Sequence, residues 1–295
     1  IPFVLILVCC MVFTVAAQTT DTMTVYVDQT NGADTNDGLT ETTAVKTMDA
    51  AYALLNENLS ESGTGTIVLV SNYTHAFAAA KERICTSVPS HAYTVVITGK
   101  TADTAFLLKN SKQSYLQLCG PTKFEKVTVS INSGSNKFIS IHGAGVNGSL
   151  TIGDNVTTSD NADLRPTLMA APYENANDTA SSGKPIYMEI NSGAWRNVYA
   201  GGYTNAVTGN STLVFNDGLA SKISVNYSST HTGTAQITLN GGTVNELSMP
   251  SANSGGKVAG DVTVTFVGSD VKKISSVGTH NSGRTYFDLA ADGLI

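Results

Sequence analysis

Charge is sparse in this 295-residue sequence. Asp, Glu, Lys and Arg make up 14% of it, against about 25% in ordinary soluble domains. The formal balance is −6, so there is no basic surface to displace phosphate counterions, which argues against a nucleic-acid partner. Tryptophan occurs once and histidine five times. The histidines are scattered, and with the cysteines they make no zinc-site spacing, so no metal and no cofactor is expected. Of four cysteines, Cys9 and Cys10 lie in the opening apolar run, which leaves Cys85 and Cys119 as the candidate disulfide pair. Beyond that opening run no stretch is apolar for long enough to span a membrane.

What is present begins with IPFVLILVCCMVFTVAAQ, an apolar run ending in small residues. It reads as a secretory signal segment, residues 1–17, cleaved after Ala17. The mature protein is then expected outside the cell, secreted or on the surface, where a Cys85–Cys119 bridge is chemically permitted. No initiator Met or basic residue precedes the run, so the recorded sequence is expected to lack its true start. Gly, Asn, Ser and Thr are abundant, as suits β-structure with many turns.

Short β-branched segments recur from Tyr93 onward, centred on Ile97, Leu107, Leu118, Val129, Ile141 and Ile152. Their spacing of about eleven residues is a solenoid rhythm. Residues 155–185 interrupt it and read as a long lateral loop. A second register follows, in which Ile190, Phe215, Leu239, Phe266 and Leu289 lead five repeats of about 25 residues. Two positions earlier stand Met188, Leu213, Ile237, Val264 and Phe287. Five later come Trp195, Ala220, Val244, Val271 and Leu294, and eight later Val198, Ile223, Leu247 and Ile274. Four apolar columns that persist through the repeats describe one continuous core. Alternation within each segment makes it a strand, and the Gly or short polar residue after it makes a turn.

The repeats NSGAWRNVYAGG and NGGTVNELSM resemble those of right-handed parallel β-helix surface proteins secreted by bacteria, within the broad pectate-lyase-like group. The leading stretch YVDQTNGADTNDGLTETTAVKTMDAAYALL resembles the first segment of that group. The resemblance implies an all-β right-handed parallel β-helix, with residues 18–92 as a leading and capping segment and 93–295 as coils.

The acidic leading stretch fits neither of two ligand loops. Counted from Asp34, Gly38 is the fifth residue where an EF-hand needs it sixth, and eight residues separate Gly38 from Thr47 where a phosphate loop opens directly onto its helix. The stretch is read instead as a crossing into an amphipathic helix capped by Thr47, with Asp49 in its first turn and Met48, Ala51, Tyr52 and Leu55 on one face. Such a helix would cover the open first coil. A calcium ion on Asp28, Asp34 and Asp37 is the second reading.

In lyases and hydrolases of this group, carboxylates on the outward strand face do the chemistry. Here Glu189 and Asp288 stand four coils, ~19 Å, apart, beyond the ~5–9.5 Å of a glycosidase pair. Neither Asn-Thr-Asp, Asp-Asp nor Gly-His-Gly occurs, and His142 in IHGAG reads as a turn residue. Lys222, Lys272 and Lys273 lack a carboxylate cluster. Asn191, Asn216 and Asn240 read as a stacked ladder, and Trp195 as core. No catalytic residue is assigned. Tyr187, Tyr199, Tyr203 and Tyr286 are placed for stacking on sugar rings, with Tyr187, Glu189 and Tyr203 as the candidate binding residues.

The expected function is a secreted cell-surface or adhesin-like module that is structural or binding and non-catalytic, with extracellular glycans or surface components as partners. The alternative is a polysaccharide lyase or glycoside hydrolase whose site lies in the 155–185 loop, on Asp160, Asp163, Arg165 and Glu174. The last repeat stops before its second strand, so continuation into further coils and end-to-end self-association of this piece are expected.

Overall fold

Ten side chains stack in a single inward column: Val25, Ile67, Ile97, Phe124, Ile152, Ile190, Phe215, Leu239, Phe266 and Leu289. They belong to a ten-stranded parallel sheet running from Thr20–Val27 to Thr285–Leu289 in a computed structural model that describes residues 19–135, 138–143, 149–172, 185–204, 206–280 and 282–290. The signal-like residues 1–17, Glu174 and Leu294 lie outside the described residues.

From Leu59–Leu69 onward each circuit leaves this long sheet, passes through a short strand or bridge and then a strand of an eight-stranded sheet, and returns one rung further on. From Ile186–Ile190 onward the short strands begin with Ala194–Trp195 and Leu219–Ala220. A further short sheet, containing Thr230–His231 and Lys257–Val258, closes the later circuits. The fold is therefore an all-β parallel solenoid, and parallel strands demand such crossovers. The four columns read from the later repeats are in register. Trp195 pairs Ala220, Val244 pairs Val271, Val198 pairs Ile223 and Leu247 pairs Ile274.

The earlier half is arranged differently from the sequence reading. The spacing of about eleven residues is the distance from one face to the next, not from coil to coil. Ile97 stacks on Phe124 and then on Ile152, Phe106 on Val129, and Leu116 on Ile141. The rungs also begin before residue 93, with Thr20–Val27 and Leu59–Leu69. The segment read as a lateral loop contains a working rung. Thr157 bridges Thr128, and Thr167–Met169 joins the eight-stranded sheet beside Ile139–His142. Its apolar signal is only three residues long, too short to stand out from a polar surround.

The helix Met48–Asn58 starts at Thr47, whose Oγ1 accepts the Ala50 amide at 3.1 Å. Met48, Ala51, Tyr52 and Leu55 are buried against the first two long-sheet strands. Leu55 lies so close to Gly65 that an added Cβ there would fall 2.7 Å from it. Residues 38–45 cover the outer polar edge of the first strand: Tyr26 N donates to Gly38 O at 2.8 Å, and Val45 N to Tyr26 O at 3.0 Å. Helix and edge segment thus divide the capping between them, one covering apolar surface and the other backbone polar groups. Cys85 and Cys119, from successive circuits, are joined by a disulfide. Asp49, beyond serving the helix dipole, accepts from Thr86 and Ser87 beside Cys85. Burial pushes its carboxyl up, but those hydrogen bonds prevail and hold it below the usual value.

At the other end of the described chain, Phe287 and Leu289 occupy inward columns yet are 47% and 59% exposed, whereas Val264 one rung earlier is fully buried. Light scattering over a concentration series is expected to show association of this polypeptide, suppressed by Phe287→Lys with Leu289→Lys. Monomers at every concentration would contradict it.

Candidate functional site

The register of the eight-stranded sheet sets Tyr115, Ser140 and Thr167 side by side on three successive rungs. Leu168 N donates to Asn197 O at 2.9 Å, which carries this row onto the next rung. After Val198–Tyr199 and after Ile223–Ser224 the chain makes similar turns, and these turns hydrogen-bond to each other: Tyr227 N to Gly202 O at 3.1 Å, Ser228 N to Tyr203 O at 2.9 Å. Tyr203 and Tyr227 are consequently held one above the other, rings 4.6 Å apart and 6° from parallel. Tyr115 lies 5.6 Å from Tyr203, and Gln113 Nε2 donates to the Tyr203 hydroxyl at 3.0 Å. Facing them, the Arg196 guanidinium sits 4.5 Å from the centre of the Phe138 ring.

Together these residues bound an open cleft of about 120 Å³, the space of about four waters. Among the described residues that line it there is no Asp or Glu; the polar groups are the tyrosine hydroxyls, Gln113, Asn197, Ser140, Thr167 and Arg196. Aromatic faces flanked by neutral donors and one guanidinium suit a polyhydroxylated ring, whose C–H face stacks while its hydroxyls hydrogen-bond.

Ser140 Oγ is 2.7 Å from Nε2 of His142, the next outward residue on its strand. His142 is fully buried rather than in a turn. Burial holds its ring neutral, down to about 3, against the opposing hydrogen bond with the backbone of Ala171.

The structure separates the three residues expected to bind together. Tyr203 is in the cleft. Tyr187 and Glu189 are on the outward face of the long sheet, where the Tyr187 hydroxyl donates to Glu189 Oε2 at 3.1 Å. Glu189 Oε1 in turn accepts from Asn216 at 3.3 Å and heads the asparagine ladder, in which Asn216 donates to Asn191 and Asn240 to Asn216, both at 2.6 Å. That ladder runs along a corner of the solenoid rather than inside it, with Asn191 and Asn216 half-buried and Asn240 exposed. Tyr199, read as exposed, is 2% exposed because the following turns fold over it.

Lys222 and Lys273 do have a carboxylate neighbour, Glu246, at 3.4 and 3.6 Å. The residues of the proposed loop site close a local turn: Arg165 donates to the carbonyls of Ser159 and Asp160 at 3.0 and 2.9 Å, and Asn161 Oδ1 caps the Asp163 amide. The acidic leading stretch is likewise occupied by its own chain. Asp28 accepts from Thr30, Asn31 and Ser71, Asp34 from Lys46 and Thr47, and Asp37 from Leu39. Among the described residues no three carboxylate, imidazole or thiol groups cluster as metal ligands.

Tyr115, Phe138, Arg196 and Tyr227 were not singled out from the sequence. They share no single offset from the inward column Leu116, Ile141, Leu168, Val198 and Ile223: Tyr115 stands one before it, Phe138 three before, Arg196 two before and Tyr227 four after. Compared with protein-family models, curated proteins and solved structures, the chain gives no match.

Proposed function

We propose that this solenoid is a secreted or cell-surface binding module that holds one ring of an extracellular glycan in the tyrosine cleft. The observation that carries this reading is the parallel Tyr203–Tyr227 pair, fixed by the backbone bonds between their turns and flanked by Tyr115, Gln113 and Arg196. Rigid tyrosines lose little freedom on binding and offer both an apolar face and a hydroxyl. Placement outside the cell rests on the apolar character of residues 1–17 and agrees with the disulfide. An adhesin-like role follows if the glycan belongs to another surface.

Calorimetric titration with a panel of neutral and acidic oligosaccharides tests the proposal. Tyr203→Ala and Tyr227→Ala are each expected to weaken binding about tenfold or more, the scale of a lost aromatic anchor of ~1.4 kcal/mol. Tyr286→Ala, on the long sheet, is expected to leave it unchanged. Absence of binding across the panel, or equal affinity in the cleft variants, would sink the reading.

A further inference from the structure

We propose that Ser140, at the floor of the tyrosine cleft, and His142, buried behind it, form a nucleophile–base pair and that the site cleaves short acyl esters, such as an acetyl group carried on a sugar hydroxyl. The proposal rests on the glycan reading only for the alcohol half of the ester; the acyl chemistry belongs to the pair itself.

The geometry comes from the strand. Ser140 and His142 are two residues apart in Ile139–His142 and therefore project on the same face, while Ile139 and Ile141 fill the core. Ser140 Oγ lies 2.7 Å from Nε2, within reach for a base that takes a hydroxyl proton. Tyr115 meets the imidazole edge-on at 5.7 Å, which packs the ring against the strand. In the tautomer with its proton on Nδ1, the ring turns an unprotonated Nε2 to the hydroxyl. The burial that keeps it neutral also weakens it as a base, so a slow esterase is expected. Ser140 also lines the cleft, beside Arg196 and Asn197, whose N–H groups are the donors at hand for a developing oxyanion. A serine that only satisfied a buried histidine would need no opening onto a cleft.

In the reaction, Ser140 Oγ bonds to the acyl carbon as its proton passes to His142 Nε2. The ester C–O bond breaks, and the departing sugar oxygen takes that proton. Water then attacks the acyl-serine and yields a proton to Nε2. The bond to Ser140 breaks, its oxygen recovers the proton, and a free carboxylic acid leaves. No oxidant, reductant or metal is consumed.

The test uses the intact wild-type chain and does not depend on glycan binding. Treatment with a fluorophosphonate, followed by peptide mass spectrometry, is expected to modify Ser140, and 4-nitrophenyl acetate is expected to be hydrolysed. His142→Gln should slow both by about 100-fold or more, the usual range for a lost general base. Ser140→Ala, checked for retained fold by circular dichroism, should abolish both. If wild-type Ser140 stays unmodified, or Ser140→Ala hydrolyses the ester as well as wild type, the pair is structural and the proposal fails. Neither result would bear on the glycan reading, whose own readout is the cleft tyrosines.

Discussion

Acidifying the protein from pH 7 to pH 4.5 is expected to remove roughly 5 kcal/mol of folding stability, before most aspartates protonate. The cause is the histidines, four of which the fold holds below the ordinary value. Burial keeps His142 down to about 3 and His91 down to about 4, and also lowers His75 and His231. An unfolded chain protonates its histidines below about 6.5, so below that pH it binds more protons than the fold and stability falls as pH drops. At pH 4.5 His142 and His91, the two most strongly shifted, each contribute roughly 2 to 3 kcal/mol to the loss. Above pH 6.5 both states are neutral and this effect vanishes. Asp49, held below the usual carboxylate value, acts in the same direction only at lower pH. A typical domain has 5–15 kcal/mol in all, so urea midpoints measured between pH 7 and 4.5 should drop steeply. His142→Gln should flatten the slope. A midpoint as high at pH 4.5 as at pH 7 would show that these rings are not held neutral.

The second large effect concerns one methyl group. Gly193, Gly218 and Gly242 turn the corner between the long sheet and the next strand on three successive rungs, all with positive φ (83°, 103° and 69°). At Gly218 a Cβ would fall 2.3 Å from the Gly193 carbonyl oxygen, an atom locked in the neighbouring rung. Gly134 also has positive φ, 84°, but an added Cβ would meet nothing within 4 Å. Gly134→Ala therefore isolates the backbone strain, about 1 kcal/mol after the gain from a stiffer unfolded chain. Gly218→Ala adds the clash, which must displace one rung from another, and is expected to cost about 3 kcal/mol or more. Denaturant midpoints of the two variants decide it; equal losses would mean that the corner yields.

The later repeats were legible because their period stays near 25 residues and each column keeps its chemistry, so that Trp195 and Ala220 could be paired on paper. The helix was legible from Thr47 and the spacing of four apolar residues. The earlier rungs were not. Phe124, one of the column residues, was read as part of the segment centred on Val129, which belongs to another face, and the even spacing linked different faces. The cleft was hidden for a related reason. Tyr115, Phe138, Arg196 and Tyr227 are distant in sequence, and only the register of a sheet misaligned on paper makes them neighbours. Tyr203 was found because its exposure in a Gly-rich turn is a local property, whereas the burial of Tyr199 depends on what the next turn does.

Column neighbours are 23 residues apart from Phe266 to Leu289 and 42 apart from Val25 to Ile67, yet each step advances the axis by the same ~4.8 Å. Corner length is thereby uncoupled from position along the axis. A corner can swell to hold an entire helix, as between Val27 and Leu59, or a turn bearing one tyrosine, and the following strand still lands in register. An inserted segment is thus inherited as a local graft, so recognition surfaces on such a scaffold can diversify rung by rung over evolutionary time while the apolar columns stay as they are. Directed libraries placed at the 200–204 and 225–229 turns would draw on the same freedom.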